Sequence, residues 1–357
     1  MMKPQISHER AVFHFGNPFR AISQKAKVSP SRSRLSPGIL SILNLFEESL
    51  AERMKILMPT NEEDVGSFDW LKSAMESLCA VHGDIEKLIT VLDLPLTTWD
   101  EKWIEVYLDT SMTLLDLCNA FTSEISKLHR GNLFVRCAVS NLENDGSRQV
   151  IQARSLFSRW KQNMAAKNER MDKCSTHLHN IVKSLHLPKV KTSSKGKALM
   201  SGMYGVRVLT VFLCGVVATI LSGASTNMVE LQISDAFPWA DAYRDLESCV
   251  NGGLKKLQGR RKGSLLEEVN SVDHAVDKMR WTAENGEAEA EAEAAVTELR
   301  GGVERLSEVL RILEEEVDGF FKMVMGGRDA LLSSLRSSAS LAVDKSVWQY
   351  LEQQAVM

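Results

Sequence analysis

Cys174, His177, His179 and His186 lie close together in the chain, and thiolate with imidazole is a donor set that zinc takes. Helix geometry counts against a metal. Cys174 falls on the apolar series Met171, Cys174, Leu178, Ile181 and Leu185. At about 100° per residue His177 and His179 point roughly 200° apart, so an intact helix cannot turn both onto one ion. A second pairing sets Cys79 one helical turn before His82, the spacing that a thiolate with its base would need. Only Glu86 stands where a carboxylate could orient that imidazole, so core packing is the expectation for this pair. Lys189, Lys191, Lys195 and Lys197, interleaved with Thr192, Ser193 and Ser194, make a basic loop. It is no phosphate-binding loop, because Lys191 stands where the first glycine belongs and Ala198 follows Lys197 in place of Ser or Thr. The spacings G-x-G-x-x-G, G-x-S-x-G and H-E-x-x-H do not occur in the sequence. Two readings of the lysines stay open, a patch for anionic lipid and a plain solvated loop. No cofactor, metal or catalytic residue is expected.

The elements that would position these groups follow from composition and period. With 357 residues, 44% hydrophobic, 25% charged and 6% aromatic, the chain has apolar material for a large core. That excludes a disordered chain and a small disulfide scaffold. The 43 Lys and Arg nearly balance the 46 Asp and Glu, so a nucleic-acid partner is not expected. Six cysteines are scattered without any C-x-x-C, as in a reduced, intracellular protein. His8, Glu9, Arg10, His14 and Arg20 interrupt every candidate apolar run near the start, which argues against a secretory signal.

Charge is unevenly spread. Up to Phe46 seven basic residues face only Glu9, and residues 1–38 also hold Pro4, Pro18, Pro30 and Pro37, which forbid a regular helix. Three readings of this basic arm are open: a solvated tail, an organelle transit peptide, and a segment docking on acidic lipid with Ser36-Pro37 as a phosphorylation switch. Phe15 and Phe19, around Gly16-Asn17-Pro18, look like a short packing motif and are candidate partner-binding residues.

From Ile39 onward apolar residues recur every three or four positions, the helical period. Leu71, Met75, Leu78, His82, Ile85, Ile89 and Leu92 share one face. A second helix opens with a capping-box spacing, Thr98 to Glu101. Its apolar face runs from Trp103 through Val106, Tyr107, Leu114, Phe121 and Leu128, with a stop expected at His129-Arg130-Gly131. The longest regular series, Val296 to Val324, includes Leu306, Leu313 and Phe320 and predicts a helix of ~42 Å. An exposed face there would suit a partner helix. Before it, the Glu and Ala run from Glu287 to Glu293 predicts a solvated, frayed helix or loop.

Val208 to Leu221 is 14 residues without a charge. Uncharged residues continue to Val229, but a bilayer core asks for about 20 predominantly apolar residues, so a buried helix competes with a membrane span. Lys195, Lys197 and Arg207 flank one side and would face the cytoplasm if it spans.

Several stretches together resemble the plant BYPASS family. They are Phe15-Gly16-Asn17-Pro18-Phe19, Leu35-Ser36-Pro37, Trp99-Asp100-Glu101-Lys102-Trp103 into Val106-Tyr107-Leu108-Asp109, Leu115-Asp116-Leu117-Cys118-Asn119-Ala120-Phe121, Leu187-Pro188-Lys189-Val190-Lys191, Tyr204-Gly205-Val206 and Gly327-Arg328-Asp329. The resemblance implies a non-enzymatic plant developmental regulator that restrains a mobile root-derived signal and supports root and leaf development. It also implies exocyst subunits as partners, through the wider family, and no established catalytic residues.

The expected architecture is an all-α bundle of long antiparallel helices. Its regions are a disordered basic arm (1–38), an N-terminal helical region (39–186), a basic loop and helix start (187–205), an apolar helix (206–229), and C-terminal helices (230–357) with an acidic insert at 284–295. The expected action is binding. Lys189, Lys191, Lys195, Lys197 and Arg207 would meet an anionic membrane surface, while Phe15, Phe19, Leu306, Leu313 and Phe320 would meet protein partners. The alternatives are an exocyst-linked trafficking adaptor and an enzyme of the signal's pathway, and for location a chloroplast.

Overall fold

The structure, a computed structural model, describes residues 35–93, 101–143, 147–185, 193–224, 227–260, 263–285 and 289–355, without the side chains of 101–103, 147, 281–292 and 338–355. Phe15, Phe19, His186, Lys189, Lys191 and the Thr98 capping box therefore lie outside the described residues. The helices are α1 (Pro37–Ile56), α2 (Phe68–Leu92), α3 (Glu101–Glu143), α4 (Ser147–Ala165), α5 (Glu169–Asp172), α6 (Cys174–Lys183), α7 (Ser194–Ser222), α8 (Ala240–Arg260), α9 (Glu267–Asn285) and α10 (Glu289–Ala355), with a 3-10 turn at Glu62–Gly66 before α2. No strand occurs among the described residues, and the all-α bundle read from the sequence is the fold.

Local chemistry sets the ends. Pro37 occupies the first turn of α1, where its missing N–H leaves no bond unmade. The Ser67 hydroxyl accepts from the Trp70 amide and caps α2. The Trp70 indole N–H then donates to the Leu57 carbonyl at 2.9 Å, tying the end of α1 to α2. The apolar face expected on α2 is the face that is buried, with Leu71, Met75, Leu78, Ile85 and Leu92 all in the core.

The expected stop at Gly131 does not occur, since α3 continues to Glu143. The glycine has another use. A Cβ on Gly131 would sit 2.7 Å from Asn163 Nδ2 and 3.0 Å from the Trp160 ring, so its bareness lets α4 lie close against α3. The terminator signal was a packing signal.

The late apolar series is the inner face of α10, a helix of 67 residues and roughly 100 Å. Leu299, Val303, Leu306, Leu310, Leu313, Val317 and Phe320 are all buried, packed where α10 runs along α3, α2 and α9. The acidic insert is helical from Glu289 onward.

At the centre lies α7, in contact with α1, α2, α3, α6 and α8. The Ser193 hydroxyl caps it, and Gly223 closes it in the left-handed conformation. A helix apolar all round belongs in an interior, and 94% of its most apolar 18-residue window is buried inside the bundle. Residues from all the helical regions form one contiguous core.

Candidate functional site

Where α2, α3, α7 and α10 meet, the bundle leaves a cleft among His82, Ile85, Tyr107, Thr110, Val206 and Val324, lined also by Arg207. Its cavity volume, about 30 Å³, has room for about two water molecules. Three stretches of the BYPASS resemblance converge on it, through Tyr107, Val206 and, at the rim, Gly327.

Arg207 is its most unusual component. The residue is only 6% exposed. One terminal nitrogen donates to the Ser184 carbonyl at 2.9 Å and the other to the Ile181 carbonyl at 3.1 Å and to the Ser184 hydroxyl. These acceptors close the C-terminal end of α6, whose last carbonyls a cation suits. All of them are neutral. Burial alone lowers the guanidinium to about 10, so it remains a cation at neutral pH. Its third donor, Nε, is buried with no partner, and so is the hydroxyl of Thr110, which also lines the cleft. The expectation that Arg207 would flank the apolar segment and meet a membrane surface is thereby corrected. It lies midway along α7 with its charge held inside the bundle.

His82 also lines the cleft. Its Nε2 lies 3.1 Å from the Thr210 hydroxyl, which donates its own proton to the Val206 carbonyl at 2.7 Å. Thr210 must therefore accept, and the imidazole is the Nε2–H tautomer. Burial lowers His82 to about 4 and keeps it neutral, and the Phe320 ring meets it edge-on at 5.3 Å. Its neighbour Cys79 is pushed up to about 11 by burial and by the carboxylates of Glu316 and Glu76. A protonated thiol beside a neutral histidine already bonded to a threonine is no activated nucleophile. These residues share a helix face without forming a catalytic pair.

The rim is built on a glycine. A Cβ on Gly327 would lie 2.5 Å from the Tyr107 hydroxyl and 2.6 Å from Glu86 Oε1, so these two groups lie directly against the α10 backbone. Burial raises the Glu86 carboxyl, and burial with the nearby Glu86 charge pushes the Tyr107 phenol up to about 12. Arg328 fixes this junction by donating to the Leu108 carbonyl at 2.8 Å and the Ser111 hydroxyl at 3.1 Å.

The remaining sequence candidates are dispersed. Lys195 donates to the Asp93 carbonyl at 2.9 Å, closing the C-terminal end of α2, and Lys197 follows in the first turn of α7, half-buried. His179 bonds the Ser175 carbonyl within its own helix, whereas His177 faces Asp116 at 4.0 Å. Among the described residues no group of three or more His, Cys, Asp or Glu is placed to hold a metal. Leu306, Leu313 and Phe320, expected to meet a partner, are each at most 2% exposed, because α3, α2 and α9 already cover their face of α10. Their role is corrected to core.

Sequence reasoning missed Thr110 and Ser111. The signal was a gap: the apolar series on α3 skips from Tyr107 to Leu114, and the skipped turn is filled by Thr110 and Ser111, both buried.

The sequence profile described as "Protein ROH1-like" matches residues 21–168 and 166–336. The chain belongs to the ROH1-like family. It is 39% identical to "Protein BPS1, chloroplastic" of Arabidopsis thaliana over 337 residues, 94% of both chains, and the resemblance to the BYPASS family of plant developmental regulators stands. It is also 32% identical to "UPF0496 protein 4" of Oryza sativa, in both the japonica and indica subspecies, over 79% of this chain and 62% of each of those proteins. The chain thus spans about three-fifths of the length of the rice relatives. No solved structure matches.

Proposed function

We propose that this ROH1-like chain is a non-enzymatic regulator of plant development that acts by binding. In that reading it restrains production of a mobile root-derived signal and so supports root and leaf growth, as the BYPASS resemblance implies. The observation that carries the reading is the state of the reactive groups: Cys79 protonated, His82 neutral and already bonded to Thr210. Protein partners, exocyst subunits among them, would engage Phe15 and Phe19 in the arm, since the apolar face of α10 is occupied by the chain itself. Lys189 and Lys191, together with the basic arm, would bring the molecule to an anionic membrane surface, where each such cation contributes about 1 kcal/mol.

A second location is favoured by two observations, the Arg-rich and acid-poor arm and the word "chloroplastic" in the name of the Arabidopsis relative. One experiment separates the two. Full-length chain, a variant lacking residues 1–34 and the double variant Lys189→Glu/Lys191→Glu are tagged and followed by cell fractionation. Membrane recovery lost in the double variant supports the lipid patch. Plastid import lost only with the arm supports a transit address. Purified protein that turns over a small molecule unaided would defeat the binding reading.

A further inference from the structure

We propose that the cavity between α2, α3, α7 and α10 binds a small apolar carboxylate, its oxygens accepting from Arg207 Nε and the Thr110 hydroxyl and its tail lying along Ile85, Leu114, Val206 and Val324. The inference rests on the binding reading above and names a ligand class for it. Three observations carry it. The first is charge. Every acceptor found for the Arg207 guanidinium is neutral, and an interior cation without a counter-charge is costly unless an anion reaches it. The second is the pair of idle donors, since Nε and the Thr110 hydroxyl are both buried without partners and both residues line the same space. A carboxylate accepts from two donors at once.

The third is shape. The cavity volume of about 30 Å³ suits a small polar head group. Ile85, Leu114, Val206 and Val324 give the lining an aliphatic part, and Met203 and Met323 also belong to it. Methionine side chains shift readily to admit a tail. Two ordered waters could satisfy the same donors, yet they would leave the charge unbalanced.

The test uses the purified full-length chain with hexanoate as probe and hexanol as its uncharged match, read by thermal melting and by titration calorimetry. Hexanoate should raise the melting temperature and bind at least tenfold more tightly than hexanol. Thr110→Val, which removes one hydrogen bond to a charged group at nearly constant volume, should weaken hexanoate about tenfold. Val324→Phe, which fills the tail space and leaves both donors in place, should abolish binding; far-UV circular dichroism checks that both variants fold. Hexanoate that leaves wild-type melting unchanged, or that binds both variants as well as wild type, overturns the site and leaves the non-enzymatic reading standing. Hexanoate bound but recovered chemically altered supports the cavity and defeats the non-enzymatic reading.

Discussion

Acidification should destabilise the fold through His82, and the size of the effect follows from its surroundings. The imidazole titrates near 6.5 when solvated and near 4 in the folded chain, because burial penalises its charged form. A base with a depressed folded pKa binds protons more readily when unfolded, so its contribution to stability is intact above about 6.5 and declines as pH falls toward 4. At pH 5 the unfolded imidazole is almost fully protonated and the folded one hardly at all, a difference of about 2 kcal/mol that grows to about 3 kcal/mol below pH 4. Glu86, Glu247 and Glu316 carry raised carboxyls and pull in the opposite sense, so the raw profile mixes both. His82→Gln isolates the histidine, since its amide N–H can still donate to Thr210. Urea unfolding of both proteins, followed by circular dichroism from pH 7 to pH 5, should show wild type losing about 2 kcal/mol relative to the variant. A difference that stays flat across that range would refute the burial of His82 as a neutral imidazole.

Three further substitutions test the packing. Leu306→Asp places a carboxylate in the space between α10 and its neighbours, where the leucine is 0% exposed. It should cost more than about 4 kcal/mol, seen as loss of a cooperative melt. Gly131→Ala and Gly319→Ala should differ in sign. A helix-interior alanine normally gains about 1 kcal/mol over glycine, and Gly319 has open space around it, whereas a Cβ on Gly131 meets Asn163 and the Trp160 ring. Differential scanning calorimetry should show the melting temperature rising for Gly319→Ala and falling for Gly131→Ala.

The helical period carried most of the architecture. The faces of α2 and α10 are legible residue by residue because a 3.6-residue repeat leaves one stripe to bury. What the period cannot say is which helix covers that stripe. The α10 seam read equally well as a surface for a partner, and only the arrangement of α3, α2 and α9 decides that it faces inward. Gly131 shows the same ambiguity, since one residue type serves both helix stops and close approach, and the sequence around it does not say which. Thr110 and Arg207 come from different helices far apart in the chain. Each was visible as an irregularity in its own apolar pattern, but their meeting is a fact of the tertiary fold.

Arg207 also decides how α7 is best understood. Read from sequence, it bounded the apolar core Val208 to Leu221 and left 14 residues, about 21 Å of helix against a hydrocarbon core of ~30 Å. In the structure the helix does not end there but extends on both sides, from Ser194 to Ser222, so the arginine sits near its midpoint. A guanidinium at the centre of a lipid-exposed helix costs about 3 kcal/mol or more. Here the Ser184 and Ile181 carbonyls receive it instead, and in doing so they fasten the end of α6 to the central helix. The residue that makes α7 a poor membrane span therefore has a reason to be there only inside a bundle. One donor, Nε, it leaves unpaired, in a residue that also lines the cleft among α2, α3, α7 and α10.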